Sequence, residues 1–313
     1  RIEARQSWLD AAAHGFRFLA DKVYAGNGRW NYRLTRGGDV LVGTTSIFAD
    51  YHILQGLGEY MAALKGDHPE GMRLLGECYD ALEKNMFDPE FKDIYENTWS
   101  ERFIWHDMYM TCISAILPCV PVLGRVRTRR LLDECLDKVT NWFARDDRQL
   151  VFEAVTRDNG IDMSTVQGRF INPGHMMESA WFLYQAALLR GDDALQGGLF
   201  SYKDASGAEP EAIDWYLETD SLWDDKIWWA NAEALAAYAC MFAATGEEKF
   251  WERFLAQHEY CKRHFFDPEF GEWYERLHRD GSVKVSDKGT PWKCAFHLVR
   301  ALVCTVDALK RCA

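Results

Sequence analysis

FDPEFKDIYE, from Phe87 to Glu96, returns almost letter for letter as FDPEFGEWYE from Phe266 to Glu275. Both copies hold an Asp-Pro turn opener, an aromatic shortly after it and a closing aromatic–acid pair, which marks the chain as built from repeats. Each copy follows a stretch with apolar residues at helical spacing, GMRLLGECYDALEKNMF before the first and FWERFLAQHEYCKRHFF before the second. Short aromatic-rich extended segments closed by Asp, Asn or Gly recur along the chain, as RWNYRLTRGGDVL, IYENTWSE, VFEAVTRDNG, GLFSYKDASG and WYERLHRDGSVKV.

Between these segments the helical period continues in SIFADYHILQGLGEYMAAL, MYMTCISAILPCVPVL, RRLLDECLDKVTNWFA, ESAWFLYQAALLR, WANAEALAAYACMFAAT and CAFHLVRALVCTVDALKRC. The hairpin segments lie roughly 50 to 70 residues apart, longer than the periods of open helical solenoids. A helix pair plus a hairpin per repeat closes most naturally into a ring of inner and outer helices, with hairpins rimming one mouth. The expected fold is therefore all-α, an α/α barrel with short hairpins between helices. The chain opens on Arg1 inside the helical stretch IEARQSWLDAAAHGFRFLA, so the first helix is expected upstream of it.

With 8 prolines and no Gly/Ser-rich run or charge block dividing it, the chain is expected to form one domain over residues 1–313. A net charge of -12 repels nucleic-acid phosphates and anionic membranes, and no basic cluster offsets it. No apolar run approaches the ~20 residues of a membrane span. The 9 cysteines are scattered through apolar periodic segments without a CxxC pair, which points to the cytoplasm. The 13 tryptophans concentrate in GRWNY, DIYENTW, FIWHDMY, SLWDDKIWW, GEWYE and TPWKCAF. They suggest a cavity lined by flat apolar faces of the kind that take the CH faces of sugars.

Chemistry enters at NPGHMMESAWFL, Asn172 to Leu183. Asn172 is a good N-cap, Pro173 a good first helical residue, and Gly174 allows a ligand to approach the backbone. His175 then stands in the first turn, where the helix dipole disfavours a positive charge, and a neutral imidazole can act as a base. Glu178, three residues on, shares its face and is expected to hold one ring nitrogen so that the other meets the substrate. A metal is the weaker reading, because HxxE lacks the paired histidines of HExxH, and no cofactor is expected. Serine or cysteine nucleophile signatures are absent, and so is a phosphate-cradling loop. A second histidine, His297, lies on the apolar helix of DKGTPWKCAFHLVRAL.

NPGHMMESAWFL, KIWWANAEALAA, FDPEFGEWYERLHRDGSVKVSDKG and WKCAFHLVRAL, in this order, resemble the N-acylglucosamine 2-epimerase family. EARQSW is similar to that family's arginine-bearing inner-helix motif, and SIFADYHILQGLGEY to a helix of its next repeat. The resemblance implies an (α/α)6 barrel in which His175 and His297 form the acid/base pair, Glu178 orients His175, and Arg5 polarises the anomeric oxygen. It also implies a helix before the arginine motif. Candidate sugar contacts are Asn172, Trp228, Asn231 and Glu233, joined by Lys288, Trp292 and His106. The family's WWPHSEA reads WWANAEA here, so Asn231 stands where N-acylglucosamine enzymes often carry histidine and disaccharide epimerases glutamine; Glu3 stands where glutamine is usual.

The expected function is a 2-epimerase interconverting N-acetylglucosamine and N-acetylmannosamine. The rivals are a mannose/glucose 2-epimerase or aldose–ketose isomerase and, in another class, a sugar- or partner-binding relative without turnover. Retention of both histidines, Glu178 and Arg5 favours catalysis. A small sugar is the expected partner, with no nucleic acid and no membrane, and helical faces rich in Leu and Ala leave room for a homodimer.

Overall fold

The computed structural model describes residues 5–88, 90–91, 102–145, 147–148, 150–190, 225–278, 280–290 and 293–312. The helical stretches read from the sequence within them are helices. The first copy of the repeated turn beyond Phe91, IYENTWSE, GLFSYKDASG, Glu3 and Trp292 lie outside the described residues. The described residues divide into two compact units, one running up to Trp142 with Thr156–Asp158, the other from Phe143–Val155 and from Asn159 onward.

The N-terminal unit contains α1 (Gln6–Phe18), α2 (Ile47–Ala63), α3 (Pro69–Phe87), α4 (His106–Ile116) and α5 (Arg125–Asp137). Local chemistry sets the helix starts: the Ser46 hydroxyl accepts from the Phe48 amide, and His68 Nδ1 accepts from the Gly71 amide ahead of Pro69. α2 packs against both α3 and α4, and α4 against α5. Leu54, Leu57, Leu74, Leu82, Ile113 and Leu131 are buried between them. The stretch RWNYRLTRGGDVL forms the expected hairpin, strand β3 (Arg33–Leu34) pairing antiparallel with β4 (Val40–Val42), just after the pair β1 (Tyr24–Gly26) and β2 (Arg29–Trp30). Buried Asp50 on α2 ties β2 to the helices, accepting the Trp30 amide at 3.2 Å, with Arg29 Nε 2.6 Å from its other oxygen.

The expectation that no apolar run approaches the length of a membrane span fails at one helix. His106–Leu123 has a mean hydropathy of 1.3 over 18 residues, enough by length and composition to cross a membrane, and 72% of it is buried inside the protein. Its apolarity is explained by its place as a core helix, enclosed by α2 and α5.

The C-terminal unit is organised around α7 (Trp228–Thr245), which packs on α6 (Pro173–Arg190), α8 (Glu248–His264) and α9 (Ala295–Cys312). Its alanines make this close neighbourhood feasible, since Ala232, Ala236, Ala237 and Ala239 are all buried. α9 turns Leu298, Ala301, Thr305 and Ala308 inward, the spacing of one helical face. A hairpin of β5 (Ala144–Arg145) and β6 (Leu150–Val151) precedes Glu153. Strands β7 (Lys226–Ile227), β8 (Arg276–Leu277) and β9 (Val283–Val285) form an antiparallel sheet with β8 in the middle. WYERLHRDGSVKV is thus a hairpin as expected, and because β7 runs straight into α7, the sheet fixes where Trp228 and Trp229 begin the helix. The Trp228 amide donates to the Glu275 carbonyl at 3.0 Å.

Gly28 shows how tightly the N-terminal unit is closed. Its φ is +73°, and a Cβ there would fall 2.0 Å from the Glu77 carbonyl oxygen. Gly28→Ala should cost at least about 2 kcal/mol, combining left-handed strain with a backbone clash. A urea midpoint equal to wild type would contradict this placement.

Candidate functional site

The start of α6 forms as the sequence indicates. Asn172 Oδ1 accepts the His175 amide at 3.3 Å and the Asn172 carbonyl accepts the Met176 amide at 3.0 Å, so Asn172 caps the helix and Pro173 follows it. Asn172 is itself buried. His175 is thereby held in the first turn, its side chain 19% exposed.

The carboxylate that holds His175 is Glu153, not Glu178. His175 Nδ1 lies 2.7 Å from Glu153 Oε1, and Glu153 is buried just after β6. The backbone there is pinned, the Phe152 amide donating to Phe143 and the Glu153 amide to Phe170. Glu178 instead turns toward α9, where its Oε1 accepts from Arg300 Nη2 at 2.6 Å and lies 3.6 Å from His297 Nδ1. The reason is electrostatic: a buried carboxylate goes to the guanidinium that neutralises it.

Glu233, expected to touch sugar, is fully buried and holds His297. Its Oε1 accepts from His297 Nδ1 at 2.7 Å and from Arg300 Nη2 at 2.8 Å, while Oε2 accepts from Trp181 Nε1 at 2.8 Å. Burial works against its charge, but the Arg300 guanidinium and the His297 bond outweigh burial and hold its carboxyl below the usual glutamate value. Stability drawn from ionised Glu233 is therefore present above the ordinary glutamate range and is lost as pH falls through the lowered value.

Trp228 is also reassigned. It is 2% exposed and stands edge-on to His297, ring centroids 5.4 Å apart, so it walls the histidine rather than offering a sugar platform. Its neighbour Trp229 is partly exposed and touches both imidazoles, 5.7 Å from His175 and 5.3 Å from His297. Gly174 serves this indole: a Cβ there would lie 2.0 Å from the Trp229 ring, so the close approach that glycine permits is taken by Trp229 and not by a ligand. Asn231 faces α8, donating to the Ile227 carbonyl at 2.7 Å and accepting from Gln257 Nε2 at 2.9 Å, which ties its amide into helix packing.

Lys288 pins the repeated turn, reaching Asp267 Oδ2 at 2.8 Å and the Gly271 carbonyl at 3.2 Å. The Lys288 bond lowers the Asp267 carboxyl to about 2. Lys293, which sequence reasoning missed, is buried above Trp228, 4.8 Å from its ring, and meets Glu272 Oε2 at 2.5 Å. In the N-terminal unit, His106 opens α4 fully buried, and exposed Arg5 stands at the N-cap position of α1 without a side-chain capping bond, its guanidinium 5.3 Å from the Trp8 ring.

Glu178, Glu233 and His297 have ligand atoms within 4.8 Å of one another, a spacing that could hold a metal ion. Arg300 Nη2 already lies against both carboxylates, so within this trio the guanidinium takes the cation's place. The chemistry that follows is proton transfer. With Nδ1 of each imidazole engaged by a carboxylate, Nε2 is the ring position left to take up or give a proton. Two such bases flank one indole.

Two histidines each held by a buried carboxylate form an arrangement suited to moving protons. The family model for N-acylglucosamine 2-epimerase (GlcNAc 2-epimerase) matches residues 1–301, and the chain belongs to that family. N-acylglucosamine 2-epimerase of Mus musculus is 34% identical over 190 residues, 54% of this chain and 43% of that protein. The chain thus spans less than half the length of that relative. Cellobiose 2-epimerase of Bacteroides fragilis is 26% identical over 327 residues, covering 95% of this chain and 81% of its own. The crystal structure of a sugar epimerase from a ruminal bacterium shares the fold, with a TM-score of 0.78, 18% identity, and coverage of 98% of this chain and 82% of that one.

The reassignment of partners is open to direct test. In imidazole NMR, the downfield Nδ1 proton of His175 should vanish in Glu153→Gln and persist in Glu178→Gln, because the amide is the weaker acceptor. Loss in Glu178→Gln alone would return His175 to the helical neighbour.

Proposed function

We propose that this protein is a cytoplasmic sugar 2-epimerase interconverting N-acetylglucosamine and N-acetylmannosamine, built as a single (α/α)6-barrel catalytic domain. The observation that carries the activity is the paired arrangement of His175 and His297, each bound through Nδ1 to its own buried glutamate and both in contact with Trp229. The family match and the likeness to solved epimerases support the reading. The identity to the N-acylglucosamine enzyme of Mus musculus supports the substrate.

The chemistry requires the ring-opened aldehyde, whose carbonyl acidifies the proton at C2. The Nε2 lone pair of one histidine takes that proton, the C2–H electrons form the C1–C2 double bond, and the carbonyl pair moves to O1 as an enolate. The other histidine, protonated, returns a proton to the opposite face of C2, and collapse of the enolate restores the aldehyde with C2 inverted. Trp229 offers a flat face for the chain to lie on. An N-acetyl group at C2 directs the outcome, because aldose–ketose isomerisation needs a hydroxyl there. The resemblance assigns Arg5 to the developing O1 charge, a role a single ammonium at this position would fill poorly.

Incubation in D2O with N-acetylglucosamine, N-acetylmannosamine, mannose, glucose and cellobiose, read by NMR, tests the proposal. The expected result is interconversion of the two N-acetylhexosamines with solvent deuterium at C2 of the product from the first turnovers. Turnover of cellobiose or mannose alone would overturn the substrate, and a ketose product would make the protein an isomerase. No turnover of any sugar would leave the binding relative as the reading.

A further inference from the structure

Arg300 lies three residues beyond His297 on α9 and is 13% exposed. Its guanidinium packs over Phe296 at 3.9 Å, Trp181 at 5.0 Å and Phe182 at 5.2 Å. One nitrogen does all its hydrogen bonding: Nη2 donates to Glu178 Oε1 at 2.6 Å and to Glu233 Oε1 at 2.8 Å, while buried Nε and Nη1 have no hydrogen-bond partner among the described residues. Burial works against its charge, and the two glutamates outweigh burial and raise its pKa above the ordinary value. A guanidinium so incompletely bonded is held by the aromatic rings and the two carboxylates, and its placement serves them.

What it does for them follows from the geometry around His297. Glu233 Oε1 is 2.7 Å from His297 Nδ1, and Glu178 Oε1 is 3.6 Å from the same nitrogen. Without a cation between them, two buried carboxylates would repel, and one would take up a proton or turn away. Either change alters which oxygen accepts from Nδ1, and with it the ring's tautomer and aim.

We propose that Arg300 is the positioning residue of the His297 base: it neutralises Glu178 and thereby commits Glu233 to the imidazole. This rests on the two-base reading above. His175 is held separately by Glu153, so loss of Arg300 disables one face of C2 and leaves the other.

The test compares Arg300→Met, Arg300→Lys, Arg300→Ala and His297→Ala in D2O. Folded Arg300→Met should lose roughly a hundredfold in kcat with KM nearly unchanged. Its residual C2 exchange should be confined to the same single epimer that His297→Ala still exchanges. Arg300→Lys keeps a charge between the glutamates, so it remains informative if Arg300→Met does not fold; it should show the same epimer bias with a smaller loss. Guanidinium added to Arg300→Ala should restore exchange of the missing epimer. Folded variants that exchange both epimers in wild-type proportion, or lose both alike, would overturn the proposal. Should His297→Ala itself exchange both epimers, the two-base reading fails on its own. Guanidinium rescue of turnover then decides Arg300 alone: restoration retains its positioning role, and its absence ends it.

Discussion

The buried carboxylate of Glu233 is the interaction on which the C-terminal unit depends. Removing an ionised carboxylate from water costs several kcal/mol unless its oxygens are met by charged or hydrogen-bonding donors. Glu233 meets this requirement with three donors from two neighbouring helices, Trp181 on α6 and both His297 and Arg300 on α9. Those bonds set the rotation of α6 and α9 about α7, and the same rotation aims His297. Structural satisfaction and the aim of His297 are thus one constraint, met by a helix held against α7 rather than by a loop.

The second histidine repeats the logic with different means. Glu153 comes from the segment after a short hairpin, and its backbone is fixed by bonds to Phe143 and Phe170 before its side chain reaches His175. Each base therefore has its own acceptor, and Trp229 lies against both rings, seated on Gly174 where no side chain could fit. Lys288 and Lys293 hold the turn from Phe266 to Trp273 by pairs to Asp267 and Glu272, and Lys293 also backs Trp228 behind His297.

Much of this was legible in the sequence, and the remainder has a physical reason for being hidden. Helical periodicity identified α1 through α9, and the cap at Asn172 was readable because N-cap chemistry is local. Both histidines stood out by context. Their partners did not, since a carboxylate selects its partner in three dimensions: Glu178 shares a helix face with His175 by spacing but obeys Arg300 from another helix. An acid inside the apolar run VFEAV was the available signal for Glu153, and an arginine on the inner face of an apolar helix was the signal for Arg300. Trp228 and Trp229 could not be told apart, because adjacent helical residues point about 100° apart and only the packing decides which one faces the site.

The proposed mechanism has His175 and His297 act on opposite faces of C2. The direct measurement is C2 proton exchange in D2O by His175→Ala and His297→Ala, each offered both epimers separately. Neither variant should epimerise, each should exchange the C2 proton of one epimer, and the two variants should prefer opposite epimers. Exchange of the same epimer by both variants would contradict the mechanism and point to a single base serving one face.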